Sequence, residues 1–346
     1  MIAFFQTGGI GDAILGTSVV KKLRASYGAV TVCYCDHLVP QVYQGVGFVD
    51  RLKRIDMATV RTAEALGKSL SGFDFVVFNK FRRGPDGKLN FFIPVSPGSV
   101  DICEGYRRGY AEALSSDIGR RVSDISDIHP VELMRFFNSE SDYFSDWRRY
   151  GLGCGYGDVS VEIFPYTKER NGHDRWPAKF IVVHDSRLPV DGRSGYPMKA
   201  WSADLWKVLC GMIRDRLGLP VVQILSDGQE RFADFVIPHD VLIGKDAMFQ
   251  DYLDLLDRSS VYVGTDSWPA HAAIFIRNPK YVLLKGAVSR RWDHGGVYSR
   301  IIRSGSCQAC EGPWANKDRC MWHSGHPCME SITPEMVFAE IEEALQ

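Results

Sequence analysis

The stretch that decides the fold is GGIGDAILGT, residues 8–17, which lies between two segments of different character. The run before it, Ile2–Phe5, is short and apolar, as in a buried strand, and residues 18–28 after it have the pattern of a helix. A buried strand, a glycine-rich turn and a helix form the first part of a βαβ unit. The sequence therefore predicts a parallel α/β sheet, with a carboxylate, Asp12, in the middle of the turn.

The alternation of strand and helix patterns runs through the first half and restarts in the second. Strands are predicted at 2–7, 30–35, 73–80 and 158–164, and helices at 11–27, 60–70 and 127–149. After a polar linker at 165–179, strands are predicted at 180–186, 220–228, 260–264 and 280–286, and helices at 202–218, 249–257 and 265–275. We therefore predict two α/β domains, residues 1–166 and 167–330, followed by a C-terminal helix at 331–346. The expected binding place is the cleft between the domains, at the carboxyl ends of the strands.

Composition excludes several classes of protein. Of the 346 residues, 45% are hydrophobic and 24% are charged, and the formal net charge is −1, as in an ordinary globular protein. Such a charge gives no reason to expect nucleic acid as a partner. No apolar run approaches the roughly 18 residues that span a bilayer, so we expect peripheral membrane contact at most. The beginning of the chain lacks a basic leader and a cleavage site, so we expect a reducing, cytoplasmic environment.

Two phosphate-binding motifs almost fit the opening turn. The dinucleotide fingerprint G-x-G-x-x-G would begin at Gly9 and Gly11, but Ile14 stands where the third glycine belongs. The P-loop spacing from Gly11 to Gly16 places Thr17 where that motif needs a lysine. Both motifs therefore fail, and the turn needs another explanation.

The functional interpretation of this turn is that its glycines bring the backbone close to a substrate, while Asp12 acts as a general base. Asp12 lies in the first turn of the predicted helix, where the helix dipole favours an ionised carboxylate. The structural alternative is an aspartate that only complements the helix N-terminus. Both interpretations stay open on this turn alone.

A second polar turn follows the predicted strand at 260–264. Thr265, Asp266 and Ser267 open a helix, with Pro269 in its first turn, where a missing N–H group has no cost. Such a helix start offers free backbone N–H groups and hydroxyls to a phosphate. His271 could reach the same ligand, or it could pack on its own helix.

Lys199, just before the predicted helix at 202–218, is a candidate to neutralise a leaving diphosphate. The alternative is an exposed surface lysine. The sequence contains no Asp-x-Asp pair, which weighs against a catalytic divalent cation that holds a nucleotide diphosphate.

Four motifs in order resemble those of the ADP-heptose glycosyltransferases, the lipopolysaccharide heptosyltransferase family. The resemblance implies a GT-B architecture, with two Rossmann-like domains facing a cleft, the acceptor on the N-terminal side and the nucleotide sugar on the C-terminal side. It also implies an inverting, metal-independent enzyme that moves a heptose, with ADP-heptose as the expected donor, to an acceptor hydroxyl. The motifs are GGIGDAILGTSVVKKLR (8–24), MKAWSADLW (198–206), VGTDSWPAHAA (263–273) and CMESITPEMVFAEIEEAL (328–345).

The resemblance also implies roles for individual residues. The catalytic base falls on Asp12, and Gly9 and Gly11 belong to the acceptor-side loop. The other residues that it assigns bind the donor: Lys199, Asp266, Ser267 and His271. Thr265, which opens the same predicted helix, completes the predicted donor-binding set.

Two further positions bear on donor recognition. The segment LSDGQER (225–231) corresponds to the second nucleotide loop of the family, so Asp227 or Glu230 is expected to contact the ribose. Where the family commonly has glycine after the Asp-Ser pair, this chain has Trp268. That departure bears on the fit of the nucleotide and on the identity of the donor sugar.

Four of the nine cysteines crowd into one segment, and a C-x2-C pair followed by two more thiols suits a closed tetrahedral site for zinc or iron. With four protein ligands the metal would be structural, and a nearby histidine could replace one thiolate. The alternative is a set of reduced thiols in a loop. The residues are Cys307, Cys310, Cys320 and Cys328, with His323 and His326 beside them.

The cysteine segment is similar to one in the protein-directed heptosyltransferases, which modify serines of bacterial autotransporters. In that branch it binds iron and accompanies large ring-like oligomers, so the resemblance implies a homo-oligomer and a protein serine as acceptor. The other expected acceptor is a sugar of the lipopolysaccharide core. Two other functions stay open: a non-catalytic sugar-nucleotide-binding scaffold, and a GT-B sugar-nucleotide epimerase, which would need several acid/base groups in the cleft.

Overall fold

The chain divides into two compact units, Met1–Phe136 with Asp142–Glu162, and Ile163–Gln346 with Phe137–Ser141. We describe them from a computed structural model. The residues that the structure describes are 1–6, 10–34, 39–44, 46–55, 72–83, 89–94, 152, 154, 158–159, 176–185, 199–225, 230–238, 249–276, 280–286, 300–303 and 327–346.

The first unit contains a five-stranded sheet in the order β3-β2-β1-β4-β5. The pairs β1–β2, β2–β3 and β1–β4 are parallel, as predicted, whereas the edge pair β4–β5 is antiparallel. The strands β1 and β2 are apolar and almost wholly buried, which explains why the sequence pattern located them. The elements are β1 (Ile2–Gln6), α1 (Ile10–Tyr27), β2 (Val30–Tyr34), α2 (Val39–Tyr43), β3 (Arg51–Arg54), β4 (Phe75–Arg83) and β5 (Leu89–Pro94).

The second unit contains a six-stranded sheet in the order β11-β10-β9-β6-β7-β8, and all its pairs are parallel. Numbered from its own first strand, this is the 3-2-1-4-5-6 order of a doubly wound Rossmann sheet. The strands are β6 (Ile181–His184), β7 (Val221–Leu225), β8 (Phe235–Pro238), β9 (Val261–Thr265), β10 (Tyr281–Gly286) and β11 (Arg300–Arg303), and the helices are α3 (Ala203–Met212), α4 (Phe249–Arg258), α5 (Trp268–Phe275), α6 (Pro327–Glu330) and α7 (Pro334–Leu345).

The core of the second unit is built around two tryptophans before and within α3. The rings of Trp201 and Trp206 meet edge to face at 4.9 Å, and Trp206 stacks on Phe232 at 5.5 Å. The indole Nε1 of Trp201 donates a hydrogen bond to the carbonyl oxygen of Ile332 at 3.0 Å. The C-terminal segment is therefore fastened to the loop before α3, and α7 packs beside it with Val337, Phe338 and Ile341 buried.

Most predicted elements within the described residues are confirmed, with small changes at their ends. The helix predicted at 202–218 is α-helical only to Met212, and Ile213–Leu217 form a wider π-helical turn. Gly218 ends it in the left-handed conformation, with φ of 64°, and donates a hydrogen bond to the carbonyl of Arg214. The helices predicted at 60–70 and 127–149 and most of the strand predicted at 158–164 lie outside the described residues.

Gly16 lets α1 pass closely over β1 in the first unit. A Cβ atom on Gly16 would lie 2.5 Å from the hydroxyl oxygen of Tyr43 and 2.7 Å from Oε1 of Gln6. These two atoms are joined by a buried hydrogen bond of 2.9 Å, in which Tyr43 donates. A side chain at position 16 must therefore displace a satisfied polar pair.

Gly16→Ala is expected to lower the free energy of unfolding by about 1–3 kcal/mol, because overpacking would move this pair. The matched control is Gly211→Ala in α3, where a Cβ meets nothing within 4 Å and the better helix propensity of alanine should stabilise by about 0.5–1 kcal/mol. Urea denaturation of both variants measures the difference. Equal effects of the two substitutions would contradict this account.

Candidate functional site

The candidate site of the second unit lies at the topological switch point of its sheet. Strands β6 and β9 are neighbours, and the chain runs outward from them in opposite directions. Such a point leaves a crevice at the carboxyl ends of the two strands, where open α/β sheets bind ligands. Here the strand ends carry polar residues that are almost entirely buried: His184, Asp185, Thr265 and Asp266.

Asp266 is shared between two lysines. Its Oδ2 atom lies 2.6 Å from Nζ of Lys199, and its Oδ1 atom lies 3.3 Å from Nζ of Lys285. The Lys285 side chain is 0% exposed, so it can remain charged there only beside compensating groups. The loop before α3 and the end of β10 thus meet at one carboxylate.

The surroundings of Asp266 keep it ionised. Burial by itself would raise its pKa, but the positive charges of Lys199 and Lys285, together with His271, outweigh burial and hold the pKa well below its usual range. The hydrogen bond from Lys199 acts in the same direction. Two lysine ammonium groups thus lie against one ionised carboxylate, next to the start of α5.

Ser267 stands at the start of α5 and joins the two strand ends. Its hydroxyl lies 3.0 Å from Nδ1 of His184 and 3.3 Å from the carbonyl oxygen of Thr265. The first backbone hydrogen bond of α5 runs from the N–H of His271 to the carbonyl of Ser267. The N–H groups earlier in this turn have no carbonyl of the same helix to donate to. Free N–H groups at a helix start are the usual donors in a phosphate-binding site.

Asp185 organises the backbone around this cluster. Its Oδ1 atom accepts hydrogen bonds from the backbone N–H of Trp201 at 3.4 Å and from the hydroxyl of Thr265 at 3.5 Å. Because Trp201 follows Lys199 by two residues, the Asp185 carboxylate helps to hold the loop that carries Lys199 against the strand ends. The hydroxyl of Thr265 is hydrogen-bonded to a buried carboxylate of the protein.

The structure brings together four of the predicted donor-binding residues, Lys199, Thr265, Asp266 and Ser267, and places His271 one turn along α5. Sequence reasoning missed His184, Asp185 and Lys285. Each lies at the carboxyl end of an apolar parallel strand, in FIVVHDS (180–186) or KYVLLKG (280–286). A polar residue at the end of such a buried strand indicates a ligand site, and this signal was present in the sequence.

Trp268, where a glycine was expected from the resemblance, packs within its own unit. Its ring meets Tyr252 edge to face at 4.5 Å and Phe249 at 5.6 Å, and both of these residues belong to α4. The helix start therefore carries a half-buried aromatic side chain that is fixed by contacts with α4.

Other predicted residues lie elsewhere or outside the described ranges. The carboxylate of Glu230 forms an ion pair with Lys207 on the surface of α3, so the structure does not bring it into the Asp266 cluster. Cys328 is buried in the core of the second unit. The remaining predicted residues, Gly9, Asp227, Cys307, Cys310 and Cys320, lie outside the described residues.

In the first unit, the carboxyl end of β1 is also a switch point. Strand β1 lies between β2 and β4, so the chain moves to opposite sides of it. Asp12 is half-buried in the first turn of α1, and Gly11 beside it is buried. The predicted base therefore lies at the start of the helix that follows the central strand, where a sheet of this order is expected to bind a ligand.

Within the described ranges, no group of three or more His, Cys, Asp or Glu side chains is arranged to hold a metal ion. None of the helices described there is long and apolar enough to cross a membrane.

Neither a protein-family model nor a curated protein matches the chain. Solved structures match it over almost its whole length. A family 9 glycosyl transferase from Veillonella parvula is 14% identical with a TM-score of 0.58, and the match covers 99% of this chain and 96% of that one. The ADP-heptose LPS heptosyltransferase II of E. coli is also 14% identical, with a TM-score of 0.58 and coverages of 99% and 98%.

A third solved structure is TibC, an iron-containing dodecameric glycosyltransferase from enterotoxigenic E. coli. It is 13% identical with a TM-score of 0.58, and the match covers 99% of this chain and 75% of that one. Identities this low show the fold. The predicted α/β class with two Rossmann-like units is confirmed, and the resemblance to the heptosyltransferases is confirmed at the level of the fold.

Asp266→Asn is expected to lower the free energy of unfolding by about 3–5 kcal/mol at pH 7, because it breaks a buried ion pair. The folded-state pKa of Asp266 lies below its unfolded value, so its contribution is fully present above the unfolded pKa of about 4 and is lost as pH falls through the folded pKa. The difference between wild type and variant should therefore shrink toward pH 2 in urea denaturation.

The matched control is Asp204→Asn, which removes an exposed partner of Lys207. The free energy of unfolding of this variant should stay close to that of the wild type at every pH, because exposed ion pairs contribute little to stability. A gap between wild type and Asp266→Asn that stays constant from pH 7 to pH 2 would show that the carboxylate charge is not what stabilises the site.

Proposed function

We propose that this protein is an inverting, metal-independent glycosyltransferase that moves a sugar from a nucleotide diphosphate sugar to an acceptor hydroxyl. The observation that carries the proposal is the buried Lys199–Asp266–Lys285 cluster at the start of α5, at the switch point of a Rossmann sheet. The fold shared with heptosyltransferases supports it. By the resemblance of the motifs, ADP-heptose is the first donor to test.

The second unit holds the donor in this proposal. The diphosphate oxygens bind at the N-terminal turn of α5, near the two lysine charges, and His271 stands one turn away. When the bond between the anomeric carbon and the diphosphate breaks, the electron pair leaves with the diphosphate. Preorganised positive charge lowers the energy of that departing anion, so a divalent cation is not required for the step.

The first unit supplies the base. Asp12 accepts the proton of the acceptor hydroxyl while the acceptor oxygen forms its bond to the anomeric carbon, and the configuration at that carbon inverts. Gly9 and Gly11 belong to the turn that admits the acceptor. A serine hydroxyl of a protein and a hydroxyl of a lipopolysaccharide core sugar are the two acceptors that the resemblance implies.

The test is incubation of the purified protein with a panel of nucleotide sugars and both acceptor classes, with mass spectrometry of donor and product. Asp12→Asn is expected to reduce transfer by about 10²–10⁴-fold, because general base catalysis is lost. Binding of ADP, measured by calorimetry, should stay at the wild-type level. Full turnover in the variant would rule out the base, and consumption of no donor by the wild type would argue for a scaffold.

We also propose that the cysteine segment holds a structural iron or zinc ion through Cys307, Cys310, Cys320 and Cys328. Cys328 is a buried thiol in the core, so a metal there would fasten the preceding segment to the second unit. TibC, which shares the fold, is iron-containing and dodecameric, and this supports a metal and a homo-oligomer here. A closed site of four thiolates supports folding and leaves no open position for catalysis.

Elemental analysis should find iron or zinc in the purified protein, and Cys320→Ser should remove most of the metal and lower the melting temperature. The matched control is Cys210→Ala in α3. Burial raises the pKa of the Cys210 thiol to about 12, so it stays protonated in the core and is no metal ligand. Loss of metal in the control, or retention in Cys320→Ser, would contradict the assignment.

A further inference from the structure

The side chain of Tyr262, on β9, places its hydroxyl near the carboxyl end of that strand, beside Gly264. It lies on β9 two residues before Gly264, so the two positions share one face of the strand. A Cβ atom on Gly264 would lie 2.6 Å from Cζ of Tyr262 and 3.0 Å from the carbonyl oxygen of His184. The missing side chain of Gly264 therefore gives the phenol its space, next to the junction of β9 and β6.

The Tyr262 hydroxyl is fully buried, and it lies near the hydroxyl of Ser267, but no group among the described residues has the geometry of a regular hydrogen bond to it. A buried hydroxyl without a partner is unfavourable, and native proteins rarely keep one without a reason. Burial raises the pKa of the phenol, nearby Ser267 opposes this, and the charges of Asp266 and Asp185 raise it again. The phenol therefore keeps its proton and is a hydrogen-bond donor at neutral pH.

Ser267 is the polar side chain next to this donor. Its hydroxyl is within reach of Nδ1 of His184 and of the carbonyl oxygen of Thr265. A hydroxyl offers one proton and two acceptor positions, so Ser267 can donate to one partner and still accept from another. A phosphate oxygen is a stronger acceptor than a neutral carbonyl, because it is charged. A bound diphosphate is therefore expected to draw the Ser267 proton to itself.

We propose that Tyr262 is a positioning residue for the donor diphosphate: its hydroxyl donates to Oγ of Ser267 when Ser267 turns its own proton to a phosphate oxygen. This inference rests on the proposed function, since it takes the start of α5 as the diphosphate seat. Ligand binding thus gives the buried phenol a regular hydrogen bond, for which the described residues offer no aligned partner. Part of the affinity for the diphosphate thus comes from a residue that does not touch it.

The experiment compares Tyr262→Phe with wild type by thermal unfolding without ligand and by calorimetric titration with ADP and with inorganic pyrophosphate. Removing an unpartnered hydroxyl should leave the melting temperature unchanged or raised, whereas the affinity for both probes should fall about two- to tenfold. Tyr281→Phe, at the amino end of β10, is the matched control and should keep the wild-type affinity. A lower melting temperature with unchanged affinity would assign the hydroxyl a purely structural role.

A double-mutant cycle tests whether Tyr262 acts through Ser267. Ser267→Ala should weaken both probes, and Tyr262→Phe should have no further effect in that background. Equal losses from Tyr262→Phe in both backgrounds would overturn the coupling. If wild type binds ADP and Tyr262→Phe binds it equally well, this inference alone fails. If wild type binds neither probe nor any nucleotide diphosphate sugar, the proposed function fails and the inference fails with it.

Discussion

The second unit depends on one buried carboxylate. Asp266 stands at the end of the strand next to the switch point, and it makes two lysine charges tolerable in a place that excludes water. Desolvation opposes its charge, and the neighbouring cations more than offset that cost. The carboxylate that allows Lys285 to be buried also holds both lysine ammonium groups beside the start of α5. The residues that would bind the diphosphate under the proposed function are therefore residues on which the stability of this unit also depends.

The two units have the same kind of switch point but carry different residues there. In each, a central strand has neighbours that the chain reaches in opposite directions. In the first unit, a half-buried acid, Asp12, lies in the first turn of the helix that follows the central strand. In the second unit, hydroxyls and an ion-paired carboxylate lie where β9 ends and α5 begins. Under the proposed function, these two sets of residues would have different tasks on similar scaffolds.

The sequence was sufficient for the elements whose apolar pattern is strong. Strands such as β1, β6 and β9 are buried on both faces, so their continuous apolar runs identify them. The edge strand β3, with the sequence RLKR, has mostly exposed side chains and no such pattern, so it went unpredicted. Lys285 was missed for a related reason: a lysine in a strand suggests an exposed edge until its carboxylate partner, 19 residues earlier, is known to lie beside it.

The hydrogen bond from the Trp201 indole to the carbonyl of Ile332 has a consequence for biosynthesis. It fastens the loop that carries Lys199 to a segment that the ribosome makes more than a hundred residues later. During translation the strands of the second sheet can pair before that anchor exists, but the lysine loop lacks its final support until the segment around Ile332 has emerged and docked. A nascent chain is therefore expected to form the sheet of the second unit before the loop that carries Lys199 reaches its final position.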